Sequence, residues 1–304
     1  RGNFQFQDIT EQSGITTQGW CTGVAMVDLN NDGFLDIYVS RAGSQNPADR
    51  ANLLFVNQGI NTFTESAHAY GIADTGYTTQ AAFFDYDKDG DLDLYLLTHD
   101  HAPQALNIPN PVKVNGEGKS TDKLFKNNGT GPDGHPTFTN VSAEAGILTE
   151  GYGLGVGIND INSDGWPDIY VSNDFLSNDL LYINNQDGTF SNRVSDHLNH
   201  QSYNGMGVDV SDYNNDGRSD ILVVDMLPED NYRQKTMSGG MTNEKFDYIL
   251  QRGYEPQYMR NTLQLNNGKG PDGYPHFSEI GRLAGIDKTD WSWSPLFADY
   301  DNDG

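Results

Sequence analysis

The apolar positions of this chain fall in short runs of β-branched and aromatic residues, each bounded by turn-forming residues, the pattern of β-strands. Residues 36–40 read DIYVS, 93–97 DLYLL, 168–172 DIYVS and 220–224 DILVV. A glycine-flecked apolar stretch precedes each: GWCTGVAMVD, TTQAAFFD, GLGVGIND and NGMGVDVSD, with WSWSPLFAD as a fifth. A third strand is predicted at NLLFVNQG (52–59), DKLFKNNG (122–129), NDLLYINNQDG (178–188) and NTLQLNNG (261–268). A fourth is predicted at TFTESA (62–67), TFTNVS (137–142), TFSNRVS (189–195) and HFSEIG (276–281). The Asn-Gly pairs between the third and fourth pieces fit tight hairpins. Four antiparallel strands per unit, repeated in series, predict an all-β chain built as the blades of a β-propeller.

Between the first and second strands of every unit lies the same acidic loop. Residues 28–36 read DLNNDGFLD, 85–93 DYDKDGDLD, 160–168 DINSDGWPD, 212–220 DYNNDGRSD, and 299–304 DYDNDG. Carboxylates this close repel one another unless a cation sits among them. Calcium takes six to eight oxygen ligands, and a glycine-turned acidic loop supplies them from alternating positions. The spacing therefore predicts calcium ligation, about one ion per loop, by positions 1, 3, 5 and 9 through side-chain oxygens and position 7 through its carbonyl. The candidate ligands are Asp28, Asn30, Asp32, Phe34 and Asp36; Asp85, Asp87, Asp89, Asp91 and Asp93; Asp160, Asn162, Asp164, Trp166 and Asp168. The fourth loop adds Asp212, Asn214, Asp216, Arg218 and Asp220, and the fifth Asp299, Asp301 and Asp303. An EF-hand is excluded twice. Its twelfth-position Glu is replaced by Val39, Leu96, Val171 and Val223, and strands rather than helices flank the loop.

These D-x-[DN]-x-D-G-x-x-D loops, the LLFVNQG/LQLNNG strands and the AGI linkers resemble the FG-GAP/VCBS repeat family. This is the calcium-loop propeller family that includes integrin α-subunit heads, with a closer likeness to bacterial secreted VCBS-repeat and cartilage acidic protein-like chains. The resemblance implies a binding, adhesion or scaffolding module outside the cell or on its surface, with a protein or glycan as partner. Membership of an outer-membrane surface assembly is an alternative.

The loops begin 52 to 87 residues apart, a period that suits a propeller. The predicted organisation is one incomplete propeller over 1–304. Residues 1–15 form a closing outer strand, because FQFQDITEQSGI matches the fourth piece and its linker. Blades are predicted at 19–67, 77–142, 152–195 and 204–281, and 290–304 opens another. The chain is expected to be a segment of a longer protein whose remainder completes about seven blades.

Charge sharpens this picture. The formal net charge is −25, from 43 acidic and 18 basic residues. Five calcium ions would cancel ten charges and still leave an acidic surface, which argues against nucleic acid or anionic lipid. No apolar run is long enough to span a membrane. Cys21 is alone, so no intrachain disulfide forms, and it is expected as a buried thiol. Calcium loops without disulfides suit millimolar extracellular calcium. The strand-one aromatics Trp20, Phe83, Phe84, Trp291, Trp293 and Phe297 are expected to pack between blades.

Two insertions depart from the repeat. Residues 99–121 hold His99, Asp100 and His101, candidates for a second metal site or an acid/base cluster, against a solvated loop. Residues 228–260 are basic, aromatic and Met-bearing. Thr242 is predicted to cap a helix through about Arg252 with Gly253 as terminator, presenting Phe246, Ile249 and Leu250. This excursion is either a contact surface for a protein or glycan, or a cap over the blade beneath. No nucleophile motif is visible, and metal ligation accounts for the paired acids. A binding role is therefore preferred over a calcium-dependent polysaccharide lyase or glycoside hydrolase.

Overall fold

A computed structural model describes residues 4–100, 111–237 and 242–301. Its frame is four four-stranded antiparallel sheets, each with its strands side by side in chain order, the fourth interrupted by one short strand that pairs elsewhere. The first sheet holds β1 (Trp20–Val27), β2 (Asp36–Ala42), β3 (Leu53–Asn57) and β4 (Phe63–Glu65). The second holds β5 (Thr78–Phe84), β6 (Asp93–Thr98), β7 (Lys123–Thr130) and β8 (Pro136–Asn140). The third holds β9 (Gly153–Asn159), β10 (Asp168–Asn173), β11 (Leu180–Asn184) and β12 (Phe190–Asn192). A two-residue strand, β13 (Gln201–Ser202), precedes the fourth sheet of β14 (Gly207–Ser211), β15 (Asp220–Val224), β17 (Thr262–Lys269) and β18 (Pro275–Glu279). β16 (Gln257–Tyr258) pairs in parallel with β13.

No sheet has a core of its own. Each core lies between two successive sheets. Tyr38 and Leu54 of the first pack with Leu94, Leu96 and Phe125 of the second. Tyr95 and Leu124 pack with Ile169, Val171 and Tyr182 of the third. Tyr170 and Leu181 pack with Ile221 and Val223 of the fourth. The second strands β6 and β10 therefore have apolar neighbours on both faces, which fits their continuous apolar runs. The first strands of neighbouring sheets converge closely. A Cβ on Gly23 would lie 2.5 Å from the Thr79 carbonyl oxygen, and one on Gly155 2.7 Å from Val208 N. Glycine is used there because another backbone occupies the space a side chain would need. Sheets stacked face to face and converging at their first strands make a propeller-like arrangement.

A buried polar pair recurs at the other end of the second strand. Asn52, Asp122 and Asp179, just before the third strands, accept from the backbone N–H of Arg41, Thr98 and Asn173 at 2.8, 2.7 and 2.9 Å. Their second side-chain atom meets a tyrosine hydroxyl. Tyr95 donates to Asp122 and Tyr170 to Asp179, each at 2.7 Å, and Asn52 donates to Tyr38 at 3.0 Å. In the fourth sheet Leu222 replaces the tyrosine, and Asn261 turns its amide to Ile286 and Thr289 instead.

Several expectations need correction. Residues 5–9 form no strand, and Phe4 and Phe6 are 94% and 92% exposed. All four described third strands are paired with their own fourth, and the last blade that residues 1–15 are expected to close is not among the described residues. Residues 5–9 lead instead into a single helical turn, α1 (Thr10–Ser13). Likewise 291–301 form no strand, because a first strand takes its ladder from the second strand beyond its loop. The segment nevertheless runs along β14, where Phe297 N–H donates to Asp209 at 2.6 Å. Phe83 and Phe84 pack between sheets as expected. Trp20, Trp291 and Trp293 are 65%, 57% and 60% exposed, since they lie on the two outer faces of the row. Cys21, next to Trp20 at the start of β1, is exposed rather than buried.

Helices α2 (Ala67–Tyr70) and α3 (Val194–His197) are single turns linking successive sheets. The excursion after the fourth sheet's second strand holds α4 (Asn231–Met237) and α5 (Asn243–Gln251). Thr242 caps α5 by accepting from Lys245 N–H at 3.2 Å, and Gly253 takes φ 89° beyond its end. Ile249 is fully buried against Leu176 and Tyr203, while Leu250 is exposed. Phe246 is half-buried and stacks on Tyr258 of β16 at 5.5 Å, so the helix packs down through two of the three expected residues.

Burial raises both Asp122 and Asp179 to about 7, from an ordinary value near 3.8. An acid held protonated by the fold contributes most below its unfolded value, and that contribution is lost as pH rises through about 7. Asp122→Asn reproduces the pairing native to Asn52. It is expected to match the parent at pH 5 and exceed it at pH 8 by about 1–3 kcal/mol. Thermal melts in excess calcium across that range check this; an unchanged slope in Asp122→Asn would count against it.

Candidate metal centre

Four loops join first to second strands, and they share one backbone. Position 4 is left-handed without being glycine: Asn31, Lys88, Ser163 and Asn215 have φ of 56°, 59°, 54° and 59°. Position 6 is always glycine, at φ 82° to 95°. A Cβ at Gly33, Gly90 or Gly217 would meet nothing, so the requirement is conformational.

This winding turns carboxylates inward. The first-position aspartates accept from the N–H groups of positions 5 and 6. Asp28 receives Asp32 and Gly33 at 3.0 and 2.9 Å, and Asp160 receives Asp164 and Gly165 at 2.9 and 2.8 Å. Asp85 and Asp212 do the same. The fifth-position aspartates each accept from position 7, so Phe34, Asp91, Trp166 and Arg218 have their N–H groups committed and their carbonyls available.

The ninth-position aspartates Asp36, Asp93, Asp168 and Asp220 are fully buried. One oxygen accepts from the N–H of loop position 2: Leu29, Tyr86, Ile161 and Tyr213 at 3.2, 3.1, 3.0 and 3.4 Å. The other accepts from an asparagine at the far end of the third strand: Asn57, Asn127, Asn184 and Asn266 at 2.8, 2.8, 2.8 and 2.7 Å. Asp168 also accepts from Asn162 N–H at 3.2 Å on the oxygen that Ile161 meets; the oxygen facing the third strand keeps a second lone pair that a cation can use. Burial raises all four carboxyls, Asp93 and Asp168 to about 7.

Those four asparagines were not among the residues picked out by sequence. Their side chains donate to the carbonyl of loop position 8: Leu35, Leu92, Pro167 and Ser219 at 3.1–3.2 Å. Asn184 also reaches Tyr86 O of the second loop at 2.8 Å, and Asn266 reaches Ile161 O of the third at 3.1 Å. One asparagine thus closes its own loop and ties it to the preceding one. The signal was available as the first Asn of VNQG, KNNG, INNQ and LNNG, which reads as turn chemistry because Asn-Gly is so common in hairpins.

The donor set suits a hard cation. Oxygens of Asp85, Asp87 and Asp89 lie within 4.8 Å of one another. Two third-position oxygens, Asp87 Oδ1 and Asn162 Oδ1, are buried with no hydrogen-bond partner among the described residues. Such orphans are costly unless something meets them. The second loop carries five aspartates and also draws in Lys126, whose ammonium contacts Asp87 and lies 3.3 Å from Asp89. Arg218 similarly pairs with Asp216. Neighbouring loops touch, with Lys88 Nζ 4.5 Å above the Trp166 ring. Of the fifth loop, Asp299 and Asp301 are described without a formed loop, and Asp303 lies outside the described residues.

His99 is buried against Tyr152 and Phe175, Asp100 lies beside Ser120, and His101 lies outside the described residues.

A model of the FG-GAP-like repeat matches residues 1–39 and 160–223, which contain the first, third and fourth loops. The chain carries FG-GAP-like repeats. No curated protein matches it. Among solved structures it is similar to a lectin of Agrocybe aegerita described as recognising non-reducing terminal N-acetylglucosamine. That likeness has 14% identity and a TM-score of 0.37 over 88% of this chain and 67% of that one, too low to bear on fold or ligand.

Asn184→Ala removes both carbonyl bridges and is expected to destabilise by about 2–3 kcal/mol. Asn185→Ala, one residue on and exposed, is expected to cost under about 0.5 kcal/mol. Denaturant midpoints of the two variants test this; equal midpoints would remove the bridging role.

Proposed function

We propose that this chain is part of a calcium-stapled β-propeller that works outside the cell, or on its surface, as a binding, adhesion or scaffolding module. The observation that carries this is the pair of buried, unpartnered oxygens at the same loop position, Asp87 Oδ1 and Asn162 Oδ1. Positions 1, 3, 5 and 9 would hold calcium through side chains and position 7 through its carbonyl. Bound calcium would supply the positive charge these corners lack. The chain's own part is to fix the winding through the left-handed fourth position and to clamp the loop base through the ninth aspartate.

Two outer apolar faces, with Trp20, Val24 and Met26 on one and Trp291, Trp293 and Leu296 on the other, fit a ring with further blades, about seven in all. No described helix is long and apolar enough to cross a membrane. The partner surface is proposed on the 228–260 excursion. There Tyr232 and Tyr248 are 77% and 40% exposed and Lys235 and Arg252 are exposed. Two other basic residues of this segment are already committed, Arg233 to Asp290 and Arg260 to Glu279.

Calcium at about 100 times its dissociation constant should stabilise the fold by about 2.7 kcal/mol per loop. The melting temperature is expected to fall sharply in excess chelator. Asp89→Ala should lower the calcium-loaded melt far more than Asp247→Ala on the exposed side of α5. An identical melt with calcium and with chelator would sink the proposal. Release of unsaturated or new reducing ends from polysaccharides would replace the binding role with an enzymatic one.

A further inference from the structure

A second cluster of metal-binding side chains lies away from the strand-one loops, where α3 meets the turn between β17 and β18. Ligand atoms of His197, Asp272 and His276 lie within 4.8 Å of one another. His276 Nε2 is already 3.1 Å from Asp272 Oδ1. His197 is only 4% exposed, and neither of its ring nitrogens has a hydrogen-bond partner among the described residues. A buried imidazole with both nitrogens unmet is costly, and it faces two half-exposed donors on a turn.

The second sheet supplies an internal control. Its turn reads GPDGHPTF over 131–138, against GPDGYPHF over 270–277. There Tyr70, the last residue of its helical turn, stacks on His135 at 4.7 Å. In the fourth sheet the pair is reversed, with His197 at 5.3 Å from the Tyr274 ring. A swapped stack would be ordinary packing. It does not account for the second change, Thr137 in one turn and His276 in the other, which puts a second imidazole 5.6 Å from His197. Gly270 makes room for it, since a Cβ there would lie 2.2 Å from His276 Nε2. The same aspartate, Asp133 or Asp272, stands in both turns, so the ligand set is complete only in the fourth sheet.

We propose that His197, Asp272 and His276 form a site for a borderline divalent metal of the zinc or cobalt class, distinct in chemistry from the oxygen-only loops. Two imidazoles and a carboxylate suit such ions at about 2.0–2.2 Å, and tetrahedral geometry leaves a fourth position for water or a ligand atom. Calcium, which wants six to eight oxygens, is a poor fit. Tetrahedral ligands lie about 3.4 Å apart, so the exposed Asp272 and His276 need only close slightly onto the fixed His197. The nearby Arg193 charge is balanced by Asp196 at 3.1 Å.

The test uses the whole chain saturated with calcium, titrated with cobalt(II) by visible absorption and with zinc(II) by calorimetry. One equivalent of cobalt should give an intense tetrahedral d–d band, displaced by zinc. The double variant His197→Tyr/His276→Thr copies the pairing native to Tyr70 and Thr137, and should abolish the band while keeping the calcium-loaded melt. Asp272→Asn, which keeps the turn, should weaken cobalt binding at least about tenfold. Absence of a stoichiometric band in the parent, or an equal band in the double variant, overturns the proposal. If the double variant does not fold, undiminished cobalt binding by Asp272→Asn overturns it.

Discussion

The buried ninth aspartate of each acidic loop is the contact on which the rest of this architecture turns. It sits at the first residue of a second strand, and its two oxygens hold the base of the loop and the end of the third strand together. Three backbone segments therefore meet on one carboxylate that is fully removed from water. Leaving a charge there is unfavourable, as the raised values of Asp93 and Asp168 indicate. The fold meets the cost with backbone donors, and the neighbouring loop oxygens provide a place for a cation. The same residue thus belongs to the sheet and to the candidate site, so the strands and the loop are set by one geometry.

The other end of the second strand is organised by a different polar contact, the tyrosine paired with Asn52, Asp122 or Asp179. Between these two ends runs an apolar strand with neighbours on both faces. This division explains why the repeat tolerates large insertions. Residues 99–121 and 228–260 both leave after the second strand and return before the third; at the first, Asp122 ties Thr98 N–H and the Tyr95 hydroxyl, and at the second, where no tyrosine is present, Asn261 accepts from Asp225 N–H alone. Sequence change is absorbed outside the two anchored ends.

Much of this was legible in the residues. The loop spacing, the four strand pieces and the Thr242 cap arise from local chemistry, because aspartates in a fixed register around a glycine and β-branched runs have few other readings. Features that depend on a neighbour were less visible. Asn184 reads as part of a hairpin until Tyr86 is seen beside it. Trp20 and Cys21 read as core because their strand is apolar, yet both are exposed at the start of the first sheet's first strand. Residues 5–9 carry a strand-like pattern, but a pattern gives no strand without an edge to join. His197 and His276 are 79 positions apart and give no motif; only the packing of α3 against the β17–β18 turn brings them together.

The bridges made by Asn184 and Asn266 also bear on how such a row yields under force. Each links the rim of one sheet to the loop of the one before it, so a pull on the second, third or fourth corner is shared with its neighbour as shear across a short hydrogen bond. Rupture would then advance sheet by sheet from an end, in the manner of a zip fastener, and an interior corner would give way last.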